Sequence, residues 1–265
     1  DKSQKKSVNL SHKNETTEKF MKKKILAACA MSLLMSLTAC NDKMDPNDPQ
    51  SVRKYLTKQK VGLTPNNFVS YAANGDTAMM TLFLQASFEI DTPADNGNNA
   101  VAIAANKGNV SVLKYLFAHG AKADVRNGNG EAVIENAVTI GNKEVVTCLL
   151  AQLKAEGYDP NGLNTAVLLA AKSGKVDMLE LLVEAGASLE NRSPDGYLPI
   201  HWTVKNGQYD AMMYLIGKGV DVNAKCGQGY SVLDWATNEG YTRLIKALKK
   251  AGAKNTPQYF KDSKK

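Results

Sequence analysis

Three histidines and four cysteines are the side chains of this 265-residue chain best suited to nucleophilic, acid–base or metal chemistry. His12 lies in a polar leader, His119 lies where a helix is expected to end, and His201 is the third. No histidine has a second histidine or a cysteine at the short spacing of a metal loop, and Cys148 and Cys226 stand equally alone. A G-x-S-x-G turn and a Walker-type loop are both absent. Gly128-Asn129-Gly130 and Gly227-Gln228-Gly229 are G-x-G pairs without a third glycine or a preceding strand, and read as turns. A catalytic residue, a metal and a cofactor are therefore not expected, with an unrecognised hydrolase as the enzymatic alternative. His119 is expected to meet the carbonyls of a helix C-terminus. Cys148 reads as a small apolar filler, Cys226 as an exposed and reactive thiol, and Cys29 as part of an apolar run.

Cys40 is different, because the residues before it supply a setting for covalent chemistry. From Met21 the chain reads MKKKILAACAMSLLMSLTAC: three lysines, a thirteen-residue apolar run from Ile25 to Leu37, then Leu37-Thr38-Ala39-Cys40. A basic start, a short apolar middle and small residues before a cut site are the parts of a secretory signal. The run is too short for a transmembrane helix, which needs about twenty residues. Its ending resembles the lipobox of bacterial lipoproteins, L-x-A-C. That resemblance implies that residues 21–39 are removed and that Cys40 receives a diacylglyceryl thioether, anchoring the protein to the bacterial envelope. Residues 1–20 are a polar leader or upstream extension outside the fold, and residues 40–50 form a Pro/Asp/Asn-rich tether. If the signal is not processed, the alternative is a cytosolic regulator.

The elements that would position any functional group are set by a ladder. Gly75, Gly108, Gly141, Gly174, Gly207 and Gly240 recur every thirty-three residues. Seven residues before each stand Phe68, Val101, Ile134, Val167, Ile200 and Leu233, and eight after each stand Phe83, Leu116, Leu149, Leu182, Leu215 and Leu248. Small or β-branched residues from Ala72 to Thr237 stand three before the glycine, and Met80, Leu113, Val146, Leu179, Met212 and Ile245 stand five after it. These positions predict two antiparallel helices per unit with an apolar stripe on the second. Within Ser193–Lys225, Asp195-Gly196 opens a tight turn, Leu198-Pro199-Ile200-His201 starts a helix, and Gly219-Val220-Asp221-Val222-Asn223 ends another. This unit resembles an ankyrin repeat, and the chain over roughly residues 51–254 is similar to that family.

The resemblance implies an all-α ankyrin-repeat solenoid of about six helix-turn-helix repeats, with a half-repeat capped by Ser51 covering the N-terminal edge. It gives His201 a structural role, bonding backbone between adjacent turns. In four repeats a second glycine twelve residues after the first (Gly120, Gly186, Gly219, Gly252) is expected to end the second helix in the left-handed region. The third repeat has Leu153 there and its glycine at Gly157, which predicts a helix one turn longer and a shorter turn after it. Lys249 replaces an apolar residue in the sixth repeat, marking a polar end to the array, with residues 255–265 as a frayed basic tail. Cys148 and Cys226 lie two layers apart. Layers about 8–10 Å apart exceed the roughly 4.4–6.8 Å Cα separation of a disulfide, so no bridge is expected.

The net charge of +7 resides at the ends. Residues 1–39 hold eight Lys/Arg against three Asp/Glu, and residues 254–265 hold four against one, which leaves the body between at −1. A nucleic-acid partner is therefore disfavoured. The implied function is non-catalytic binding of a protein partner by a monomeric module, through a concave face made of turn tips and first helices. Trp202 and Trp235 occupy matching positions on adjacent first helices, Tyr197 and Tyr230 match in the turns, and Arg192 and Lys225 match likewise. Aromatic residues beside Arg are typical of interface hot spots, so these six are the expected contacts.

Overall fold

The computed structural model describes residues 44–256, in which two compact units are delimited: one ending at Glu89 and one beginning at Ile90. The leader, the signal-like segment, Cys40 and residues 257–265 lie outside the described residues. Among the described residues the chain forms thirteen α-helices and one 3₁₀ turn.

In the first unit, α1 spans Pro49–Lys58, α2 Pro65–Asn74 and α3 Thr77–Gln85. Asp48, rather than the expected Ser51, caps α1, because its carboxylate accepts from the amides of Gln50 and Ser51 while Pro49 needs no partner for a missing N–H. Val52 and Leu56 are buried, and α1 packs on α3. Arg53 Nε donates to the Ala86 carbonyl at 2.9 Å, closing the end of α3. Phe68, Tyr71, Phe83 and Phe88 form one aromatic cluster, with ring centroids 5.0–5.8 Å apart in the pairs that touch.

The second unit contains five helix pairs: α4 (Ala100–Asn106) with α5 (Val110–Ala118), α6 (Val133–Ile140) with α7 (Lys143–Ala155), α8 (Asn164–Ser173) with α9 (Val176–Glu184), α10 (Pro199–Lys205) with α11 (Tyr209–Gly217), and α12 (Val232–Asn238) with α13 (Thr242–Lys250). First helices pack on first helices in the order α4, α6, α8, α10, α12, and second helices pack on second helices in the order α5, α7, α9, α11, α13. Two layers result, and the apolar stripes lie between them. The residues eight after each ladder glycine, Phe83 through Leu248, are all fully buried. Each contributes about 1.5–3 kcal/mol relative to exposure. Burial loosens only in the last repeat, where Thr237 and Ile245 are half-exposed.

The ladder glycines are fixed by two constraints at once. Gly141 and Gly174 have φ of 85° and 70°, a region that costs a side-chain-bearing residue about 1–2 kcal/mol. The next repeat also lies directly over them: a Cβ on Gly141 would meet Lys175 Nζ at 2.6 Å, and one on Gly174 would meet Gln208 Oε1 at 2.2 Å. Those covering residues bond across the gap, Lys175 Nζ donating to the Thr139 carbonyl at 2.6 Å and Gln208 Nε2 to that of Lys172 at 3.4 Å. The same economy of space stacks the turns. A Cβ on Gly227 would lie 2.4 Å from the Asp195 carbonyl, and one on Gly128 2.0 Å from that of Asn96.

In the third repeat α7 runs thirteen residues where the other second helices run nine, and the 3₁₀ turn Pro160–Leu163 replaces the usual finger. The added turn is tied down by Glu156, whose carboxylate accepts from the Ala123 amide at 3.0 Å. Gly120, Gly186, Gly219 and Gly252 all take the left-handed conformation expected of them. The chain stays ordered past Lys254: Asn255 and Thr256, placed by sequence in the tail, bond to the buried Asp234. Cys148 and Cys226 are both free thiols. Cys226 is 5 % exposed, contrary to its reading as a surface thiol, because its turn folds back to bond Tyr230 and buries the side chain.

Candidate protein-binding surface

His201 is enclosed and structural. Pro199 starts α10 without needing an amide partner, and His201, in the first turn, reaches back so that Nδ1 accepts from the Leu198 amide at 3.2 Å. Its Nε2 lies 3.2 Å from the Ala224 carbonyl, which requires the Nε2–H tautomer. Burial is the first cause that lowers its pKa to about 4, so the ring is neutral at pH 7. His119 is exposed and its Nδ1 lies 2.8 Å from the Tyr115 carbonyl at the end of α5. Neither histidine converges with a second reactive group, and no set of three His, Cys, Asp or Glu able to hold a metal occurs among the described residues.

On the second-helix side, an open groove of 810 Å³ lies between α5 and α7, lined in part by Lys114, Phe117, Cys148 and Ala151. Burial raises the Cys148 thiol above its ordinary range, which removes the thiolate a nucleophile would need.

The first-helix side carries the aromatic residues. Five residues before successive ladder glycines stand Ile103, Asn136, Leu169, Trp202 and Trp235, a half-buried stripe that becomes aromatic in the last two repeats. Tyr197 is wedged between the indoles, 5.5 Å from Trp202 and 6.0 Å from Trp235, and Tyr230 lies 6.3 Å from Trp235. Lys205 Nζ stands over three of these rings, 5.1 Å from Tyr197, 5.2 Å from Trp235 and 5.4 Å from Trp202. Lys172, one repeat earlier, stands 5.4 Å from Trp202. Both indole Nε1 atoms are shut from solvent and have no acceptor. An unmet buried donor costs about 1–3 kcal/mol.

Four of the six residues expected at the surface take places that allow contact: Trp202, Trp235 and Tyr230 are half-buried and Lys225 is exposed. Tyr197 does not. It is 5 % exposed, its hydroxyl donates to Gln228 Oε1 at 3.1 Å, and it supports the indoles from beneath. Arg192 is exposed, but its guanidinium is already committed: Nη1 donates to the carbonyls of Gly196 at 2.7 Å and Lys225 at 2.8 Å, joining two consecutive turns. Arg126 makes the same bond to Gly130 within its own turn. Lys172 and Lys205 escaped the sequence reading, although both stand two residues before a ladder glycine, where a comparison of repeats could have found them. Cys40 lies outside the described residues.

Three copies of the pattern for ankyrin repeats match residues 39–162, 134–226 and 167–259. The chain is similar to an L-asparaginase of Dirofilaria immitis, 27% identical over 134 residues that make up 51% of this chain and 23% of that protein. It is also similar to the human transient receptor potential cation channel subfamily A member 1, 28% identical over 164 residues, 56% of this chain and 14% of that one. The chain thus spans less than a quarter of each of these relatives. Among solved structures, the ankyrin repeat domain of Bcl-3, of the IκB protein family, superposes with a TM-score of 0.65 at 23% identity, covering 72% of this chain and 87% of that one. This fold generally serves as a non-catalytic scaffold for protein–protein interaction, and the chain belongs to the ankyrin-repeat family.

Proposed function

We propose that this protein is a non-catalytic, membrane-tethered binding module that holds a protein partner against the first-helix face of its last three repeats. The observation that carries the reading is the aromatic patch of Trp202, Trp235 and Tyr230, half-buried on a rigid support with Tyr197 beneath. Large rings held in place lose little freedom on binding, which is why such residues dominate interfaces. Replacing Trp202 and Trp235 together by Ala is expected to weaken capture of the partner by at least about tenfold, equivalent to ~1.4 kcal/mol. Far-UV circular dichroism of that variant should remain that of the wild type. Undiminished capture would remove the patch from the interface.

The tether is Cys40, on the strength of the L-x-A-C ending and the lysine-led apolar segment before it. Two or more acyl chains supply the hydrophobic signal that lasting attachment to a bilayer requires. The module then works as a monomer in the bacterial envelope, facing the periplasm or the cell surface. Cys40→Ala is expected to move the protein from the membrane to the soluble fraction after cell breakage. An unchanged distribution would favour the cytosolic reading.

A further inference from the structure

We propose that the partner segment bound at the aromatic patch is acidic: a stretch of polypeptide that places carboxylates over Lys172 and Lys205 and an apolar side chain against the indoles. This rests on the reading of the first-helix face as a protein-binding surface, and adds the chemistry of what binds there. Lys172 and Lys205 occupy equivalent positions one repeat apart, both exposed, and both are held over Trp202. Their contacts are with ring faces, and neither ammonium has a carboxylate partner among the described residues. The rings fix where the two charges sit, so a binding carboxylate meets them already placed.

The other polar groups here leave the two ammonium groups as what a ligand meets. The two indole N–H groups are shut from solvent and out of a ligand's reach, and the Tyr197 hydroxyl already donates its hydrogen bond to Gln228. The two exposed ammonium groups carry donors and no acceptors, so their complement is rich in acceptors. A cationic ligand entering among the aromatic rings would have to displace Lys205 and approach Lys172 against like charge. A nucleic acid would also bring anions and stacking bases, but the body of the chain carries a net charge of −1 and offers no basic track for a phosphate backbone to follow.

The test is selection from a phage-displayed library of random peptides on the full chain, followed by titration of the enriched peptides. The enriched sequences are expected to pair Asp or Glu with apolar residues. Their affinity should fall as salt is raised, and should drop by at least about tenfold when Lys172→Gln and Lys205→Gln are combined. Enrichment of neutral or basic peptides, or equal affinity for the doubly substituted protein, would overturn the acidic assignment. So would displacement of the enriched peptides from the patch by a thymidine oligonucleotide. The underlying reading fails separately, when enriched peptides of any charge bind the Trp202→Ala, Trp235→Ala protein as tightly as the wild type.

Discussion

Asp234→Ala is expected to unfold the last repeat selectively, at a cost of about 3 kcal/mol, because one buried carboxylate gathers the donors that close the end of the array. Asp234 is 2 % exposed. It accepts from the Ser231 amide at 2.8 Å and the Ser231 hydroxyl at 3.0 Å, which starts α12. It also accepts from Asn255 Nδ2 at 2.8 Å, the Thr256 amide at 3.1 Å and the Thr256 hydroxyl at 2.8 Å. The single Ser231 hydroxyl proton is shared between that carboxylate and the Lys254 carbonyl, which lies 2.8 Å from Oγ. Removing the carboxylate strands several of these donors in a dry place, where each unmet one is costly. Hydrogen exchange should show α12 and α13 losing protection while α4 to α9 keep theirs. Uniform loss across all the helices would mean that Asp234 acts on the whole fold and not on its end.

Acidification is expected to remove about 3 kcal/mol of stability between pH 6.5 and pH 4, through His201 alone. Its pKa is lowered from 6.5 to about 4 in the folded chain, foremost by burial, so the unfolded chain takes up the proton first. A depressed histidine contributes its full stability above pH 6.5, loses it progressively as pH falls towards 4, and changes nothing further below. The geometry gives the same sign, since a proton on Nδ1 would oppose the Leu198 amide that now donates to it. Urea unfolding at a series of pH values should therefore show a slope in the wild type that His201→Asn lacks. Identical pH dependence in the two proteins would contradict the assignment.

His201 and Asp234 stand at the same place in consecutive repeats, thirty-three residues apart, and solve one problem twice. Each reaches back to the amide that precedes its helix and onward to the chain that follows the repeat. Glu135 does the first half of this for α6, accepting from the Ala132 amide at 3.4 Å. The histidine was legible in the sequence because it falls in a Leu-Pro-Ile-His run. The aspartate's wider role was not, since beyond Ser231 the partners that bury its carboxylate lie 21 and 22 residues away.

The same contrast runs through the fold. The ladder glycines and the apolar positions counted from them located every helix pair, because burial and left-handed turns act residue by residue and leave a period in the sequence. The extra turn of α7 could likewise be read from the displaced Gly157. What could not be read was which side chain a neighbouring repeat would cover. Tyr197 and Tyr230 look equivalent by number, yet Tyr197 is buried between Trp202 and Trp235 from two successive first helices, while Tyr230, in the last repeat, packs against Trp235 and stays half-buried. Arg192 offers an exposed charge by composition and spends it on two carbonyls. Exposure is a property of the stack, and the stack is not local.

The chain contains two tryptophans, and both lie in the patch, so fluorescence excited at wavelengths that tyrosine does not absorb reports on that surface. Quenching of this emission by acrylamide, measured with and without a bound partner or selected peptide, is the most direct test of the central claim. Protection from quenching together with a shift in the emission maximum is the result expected of a segment laid across Trp202 and Trp235. Binding that leaves both the quenching and the maximum unchanged would place the partner elsewhere on the protein.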